Sequence, residues 1–160
     1  MKRYLLLLLV IAVSFSARAQ SDVISVKEAI ELFQKNNAEA TKKLLTARGY
    51  IYKGVSADSY GKDHNWVKNM DLTKDFLPTA FKQGTSSLLM IAENGKTLYI
   101  YVFNRTAFEG IKAQAKKMGY DMGKSVKSDS GTLICVKDDQ PTLTFMELQK
   151  PLPYCIQITE

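Results

Sequence analysis

His64 is the only histidine in the 160-residue chain. Any Ser-His-Asp or Cys-His arrangement for nucleophilic catalysis therefore has to use it. It lies in SADSYGKDHNW, residues 56–66, beside Asp58, Ser59 and Asp63. Nucleophile, base and acid types are all present, but they crowd a Gly-containing stretch, where turn-forming residues collect for backbone reasons alone. The expectation is a polar loop with no catalytic residue, and a small hydrolase using this loop is the alternative. Asp58, Asp63 and Asp71 offer the oxygen ligands that calcium takes, yet their spacing does not follow an EF-hand loop. One histidine and two separated cysteines do not make a zinc site of the usual kind. Gly119 and Gly123 fall at a helix end, not a helix start, so they do not form a phosphate-cradling loop. No metal or cofactor is implied.

Aromatic residues carry a different chemistry. In TLYIYVF, residues 97–103, Leu98, Ile100 and Val102 point one way and Tyr99, Tyr101 and Phe103 the other. The branched set is expected to meet helices, which leaves the tyrosines on an open face. Tyr combines a large apolar body with a polar tip and is enriched at interfaces. Tyr99 and Tyr101 are therefore the predicted centre of a binding surface, extended by Tyr50, Tyr52 and Trp66. The competing expectation is that these rings only cover a sheet or lie under long loops.

The elements that must position these residues show an internal repeat. LTARGYIYKG at 45–54 is echoed seventy positions later by AKKMGYDMGK at 115–124. The offset also aligns Phe33 with Phe103, Asn36 with Thr106, Glu39 with Glu109 and Lys42 with Lys112. Asn36 and Thr106 read as N-caps with a Glu three residues on. Each helix ends in basic residues, and Gly49 and Gly119 suit the left-handed position past a helix end. Gly-Tyr is thus a helix-to-strand exit used twice.

In the second unit, Phe108, Ile111, Ala115 and Met118 share one helix face. Strands follow at 120–126, 132–136, 142–148 and 154–159, with turns between them. In the first unit, a strand at 50–55 leads into the polar stretch 56–65, with a weak strand between Tyr60 and Val67. A connection over 68–84 tucks Phe76, Leu77 and Phe81 beneath it. Strands at 86–93 and 96–103 flank Asn94-Gly95, the strongest hairpin signal in the chain. An extra helix precedes this unit, with a capping box at Ser25 and Glu28. The predicted fold is α+β: a two-layer, tandem α-β-β-β-β repeat (about 25–103 and 104–160) forming one antiparallel sheet with helices on one face.

The first nineteen residues read as a secretory signal peptide. Lys2 and Arg3 precede an apolar run from Leu5 to Val13, and Ala17-Arg18-Ala19 is a small-x-small cleavage site. No transmembrane segment is expected. The rest, 20–160, is one domain, periplasmic or secreted. The formal charge of +6 overstates its basicity, because three of the 22 basic residues leave with the leader and 19 remain against 16 acidic ones, an excess of +3. That is too mild for a nucleic-acid partner. Cys135 and Cys155 would meet an oxidising compartment, which allows a disulfide, while a simple strand meander would hold them too far apart for one.

The helix, Lys-x-x-Gly-Tyr, strand phrasing behind a signal peptide resembles a class of small uncharacterised secreted proteins of Gram-negative bacteria. In topology alone the duplicated unit is similar to the β-lactamase inhibitor proteins, which bind enzymes through a sheet surface. That likeness implies a protein partner. The expected function is a non-enzymatic binding module recognising a protein or envelope component through an aromatic sheet face. A homodimer pairing the same face is the third possibility.

Overall fold

The computed structural model describes residues 23–82, 84–122 and 131–160. It is an α+β fold with three helices and a seven-stranded antiparallel sheet among those residues. The helices are α1 (Val26–Lys35), α2 (Ala38–Ala47) and α3 (Arg105–Lys117). The sheet contains β1 (Ile51–Asp58), β2 (Gly61–Lys68), β5 (Ser87–Ala92), β6 (Thr97–Val102), β7 (Thr132–Cys135), β8 (Thr142–Glu147) and β9 (Tyr154–Thr159). Its order is β1-β2-β5-β6-β9-β8-β7. A small ladder, β3 (Asp71–Leu72) with β4 (Pro78–Thr79), lies in the connection between β2 and β5. No helix among the described residues is long and apolar enough to cross a membrane.

The capping box at Ser25 is present as expected: its side chain accepts from the Glu28 amide, and Glu28 reaches back to the Ser25 amide. The other two caps sit elsewhere than predicted. Asn36 closes α1 in the left-handed region (φ 39°), and Asn37 caps α2 by accepting from the Ala40 amide at 2.9 Å. With only two residues between the helices, one Asn stops the first and the next starts the second; Asn tolerates both conformations. Glu39 then falls one position short of completing a capping box. Likewise Asn104, not Thr106, caps α3, accepting from the Ala107 amide at 2.8 Å.

The two Gly-Tyr exits are alike bond for bond. Gly49 (φ 80°) donates to Thr46 O and Tyr50 to Leu45 O; Gly119 (φ 86°) donates to Lys116 O and Tyr120 to Ala115 O. Both are Schellman endings, which need a residue free to adopt positive φ. Beyond the second, the predicted strand 120–126 is represented by a single bridge, Asp121 to Val136. The remainder of that strand, with most of the predicted turn 127–131, lies outside the described residues.

The cross-strand register decides the two sheet faces. Trp66, Leu89, Ile100, Ile156 and Phe145 lie side by side across five strands. All belong to the main core, which they share with Ala29, Ile30 and Phe33 of α1, Leu45 of α2 and Phe108, Ile111 and Ala115 of α3. Phe108 is the hub: it meets Phe145 edge-on at 5.9 Å and Tyr154 at 4.8 Å. The other face carries a smaller cluster of Val67, Met70, Leu88 and Phe103, closed by Leu72, Tyr101 and Leu152. Of the residues expected under the 68–84 connection, Leu77 and Phe81 remain exposed, at 54% and 45%. Phe81 stacks on Phe103 from outside at 4.9 Å. Met70 and Leu72 pack into the smaller cluster instead.

The strand expected between Tyr60 and Val67 is present as β2, whereas residues 56–60 are not a loop: they are the end of β1 and a tight β1–β2 turn, with Asp58 opposite Gly61 and Asp58 Oδ1 accepting from the Tyr60 and Gly61 amides. The polar residues of this stretch include an ordinary Asp-led turn. Cys135 and Cys155 are both free and buried. Cys135 belongs to the main core, whereas Cys155 lies opposite Tyr101 and Met146 on the other face, and β8 runs between their strands. No disulfide links them.

Candidate functional site: two clefts on opposite sheet faces

Strand parity separates the five predicted binding residues. Tyr99 and Tyr101 point away from the main core, as β6 alternation predicts, and their rings stack at 6.2 Å. Both are half-buried. Tyr101 belongs to the smaller cluster, and its hydroxyl meets the Cys155 thiol. Burial pushes the Tyr101 hydroxyl well above the usual phenol range and raises Cys155 to about 12. Both groups are therefore neutral and unreactive near pH 7.

Tyr50, Tyr52 and Trp66 lie on the opposite face and do not extend the Tyr99 surface. Tyr50 is 3% exposed and belongs to the core. Its hydroxyl accepts from the Ile24 amide at 3.2 Å and bonds Ser87 Oγ at 2.7 Å. Burial lifts its pKa to about 12. It ties the start of α1 to β5 and is unavailable to a partner. Tyr52 and Trp66 pack together, with ring centroids 4.9 Å apart. Trp66 is 7% exposed, and the Tyr52 hydroxyl meets His64 Nδ1 at 3.0 Å.

Each pair borders a cavity. The outer groove, about 620 Å³, is floored by Met90, Tyr99 and Tyr101 and rimmed by the β1–β2 tip and the β5–β6 turn. Asp58, Asp63 and Glu93 line it against a single cation, Lys62, which faces Glu93 at 4.0 Å. Burial raises the Asp63 carboxyl, and the nearby Asp58 charge raises it further. Tyr60 stands on the rim and is 95% exposed. By sequence Tyr60 is only the start of a weak strand, because its neighbours spell a turn; the same turn lifts it into solvent.

The inner cleft, about 520 Å³, lies between the sheet and the α1–α2 junction. Leu32, Phe33, Tyr52, Trp66 and Ile91 give it an apolar wall, with Asn36, Thr41, Lys42, His64 and Glu93 among its polar groups. By sequence, Phe33 and Lys42 are repeat positions, and Phe33 also belongs to the apolar face of the first helix. Their role here depends on how α1 and α2 sit against β2, which no local pattern encodes. The β5–β6 turn packs into the α1–α2 junction so closely that a Cβ on Gly95 would stand 2.6 Å from Asn36 Cγ.

The hydrolase arrangement does not form. His64 lies opposite Val55 and Ile91, on the main-core face, while its neighbour Asp63 points to the other side. Ser59 is at the hairpin tip, beyond Gly61, and the three residues from Gly61 to His64 span about 10 Å of strand. The histidine's partner is Tyr52. The three aspartates do not gather either: Asp71 pairs with Lys53 at 2.9 Å, and no group of three potential metal ligands occurs among the described residues.

No protein-family model matches the chain, and no curated protein or solved structure matches it significantly.

Proposed function

We propose that the protein is an exported, non-enzymatic binding module that recognises a basic segment of a protein or other cell-envelope component in its outer groove. The carrying observation is the Tyr99–Tyr101 stack beneath a rim of three carboxylates and one cation. Tyrosine faces attract Lys and Arg side chains, and the acidic rim favours the same partner. The leader, with its basic start, apolar run and Ala17-Arg18-Ala19, supports export to the periplasm or beyond. The bond-for-bond likeness of the Gly49 and Gly119 exits supports a duplicated unit. So does the strand order, in which β1-β2-β5-β6 meets β9-β8-β7 through the last strands of each half. On this reading, the helices form one layer and the sheet the other, and the outer sheet face is the recognition surface.

The test is a pull-down from native envelope extract with wild-type protein and a Tyr60→Ala/Tyr99→Ala variant, folding checked by circular dichroism. A partner held by the wild type, released by moderate salt and lost by the variant is the expected result. A partner that the variant retains overturns the assignment of the face. No partner, together with a dimer by light scattering, replaces it with self-association.

A further inference from the structure

The inner cleft is chemically unlike the outer groove. Its wall is apolar and aromatic, its volume falls within the range of about 300–1,000 Å³ typical of small-molecule sites, and its charged lining groups are Lys42 and Glu93. Lys42 is exposed and makes no ion pair among the described residues. The cleft's carboxylate, Glu93, faces Lys62 of the neighbouring strand β2 at 4.0 Å. Both walls are fixed. Tyr52 is held by Trp66 and His64, and the α1–α2 junction is wedged against Gly95. A preformed apolar recess with one uncommitted cation suits a ligand with an apolar body and one anionic group.

We propose that the inner cleft binds a small amphiphilic carboxylate, its apolar part against Phe33, Trp66 and Tyr52 and its carboxylate at Lys42. Its aromatic wall lies on the sheet face opposite the Tyr99–Tyr101 stack, and the two cavities share only Ala92, Glu93 and Thr97 at the β5–β6 end. An apolar ligand gains affinity from the area it removes from water. An exposed lysine adds a smaller increment, which selects the anion over a neutral analogue.

Trp66 is the only tryptophan in the chain and lines this cleft, so its emission reports occupancy directly. The experiment is a titration of the folded protein with monomeric dodecanoate, beside dodecanol. Dodecanoate is expected to change Trp66 emission saturably at one site. Lys42→Met should weaken dodecanoate by about two- to fivefold and leave dodecanol unchanged. Ala38→Phe, which adds a ring to the cleft's lining, should weaken both. Tyr60→Ala/Tyr99→Ala should bind dodecanoate like wild type, which separates failure here from failure of the outer-groove reading. Absence of a saturable response overturns the proposal, as does dodecanoate binding that is indifferent to Lys42→Met. Lys42 is on the surface, so that variant still decides the matter if Ala38→Phe fails to fold.

Discussion

Gly95→Ala probes the contact between the β5–β6 turn and the α1–α2 junction. Gly95 has φ 70°, which costs an L-residue about 1–2 kcal/mol. Its added Cβ would also stand 2.6 Å from Asn36 Cγ and 2.9 Å from Asn36 Oδ1, inside van der Waals contact. Those atoms are the end of an exposed Asn side chain, so the clash is relieved by turning it off its rotamer, at about 0.5–1.5 kcal/mol. The sum is about 1.5–3.5 kcal/mol, or roughly 5–11 °C in Tm for a domain of this size. The two contributions separate in a double-mutant cycle. Asn36→Gly removes the obstructing side chain and suits the left-handed backbone, so alone it should change stability by less than about 0.5 kcal/mol. In that background Gly95→Ala should cost only its backbone part, leaving a coupling of about 0.5–1.5 kcal/mol. Urea unfolding followed by Trp66 emission and by circular dichroism reads all four corners. Additive effects would refute the contact, and a neutral Gly95→Ala would refute both parts of the reasoning.

Three further outcomes follow from buried polar groups and thiols. Tyr50→Phe removes the acceptor for the Ile24 amide and the partner of Ser87 Oγ, and should cost about 1–3 kcal/mol in urea unfolding. Partner capture should be unchanged, since the residue is not at the outer groove. Burial tends to raise the Glu28 carboxyl, but the Ser25 hydroxyl, the Ser25 amide and Arg48 together hold it below the usual carboxylate range. A lowered folded pKa contributes stability that is present above the unfolded value and lost as pH falls through the folded one. Acidification below about pH 4.5 should therefore cost the wild type more than Glu28→Gln, as read by Tm against pH. Cys135 and Cys155 are buried, with pKa values raised to about 11 and about 12. A thiol reagent should label neither in the native protein at pH 8 and both after denaturation; a chain that labels neither when unfolded would contradict the free thiols.

The sequence by itself determined what depends on near neighbours. The Ser25–Glu28 box, the Gly49 and Gly119 exits, the Asn94-Gly95 hairpin and the alternation within β6 are all decided by residues a few positions apart. The sequence even placed Tyr50 and Tyr52 together, since period-two spacing puts them on one face of a strand. It left open which face that was. That parity passes from β6 through β5 and β2 to β1 by hydrogen-bonded register, and a shift between Tyr52 and Gly54 intervenes. Local pattern does not choose between Asn36 and Asn37, or between Asn104 and Thr106, as the cap, because neighbouring polar residues compete for the same role and the chain's entry angle decides. Only the tertiary structure decided that Tyr99 and Trp66 serve different clefts, that His64 answers to Tyr52 instead of Ser59, and that Lys42 overlooks an apolar recess. Each of these is a contact between segments distant along the chain, set by how helices and strands pack and not by what any one of them prefers.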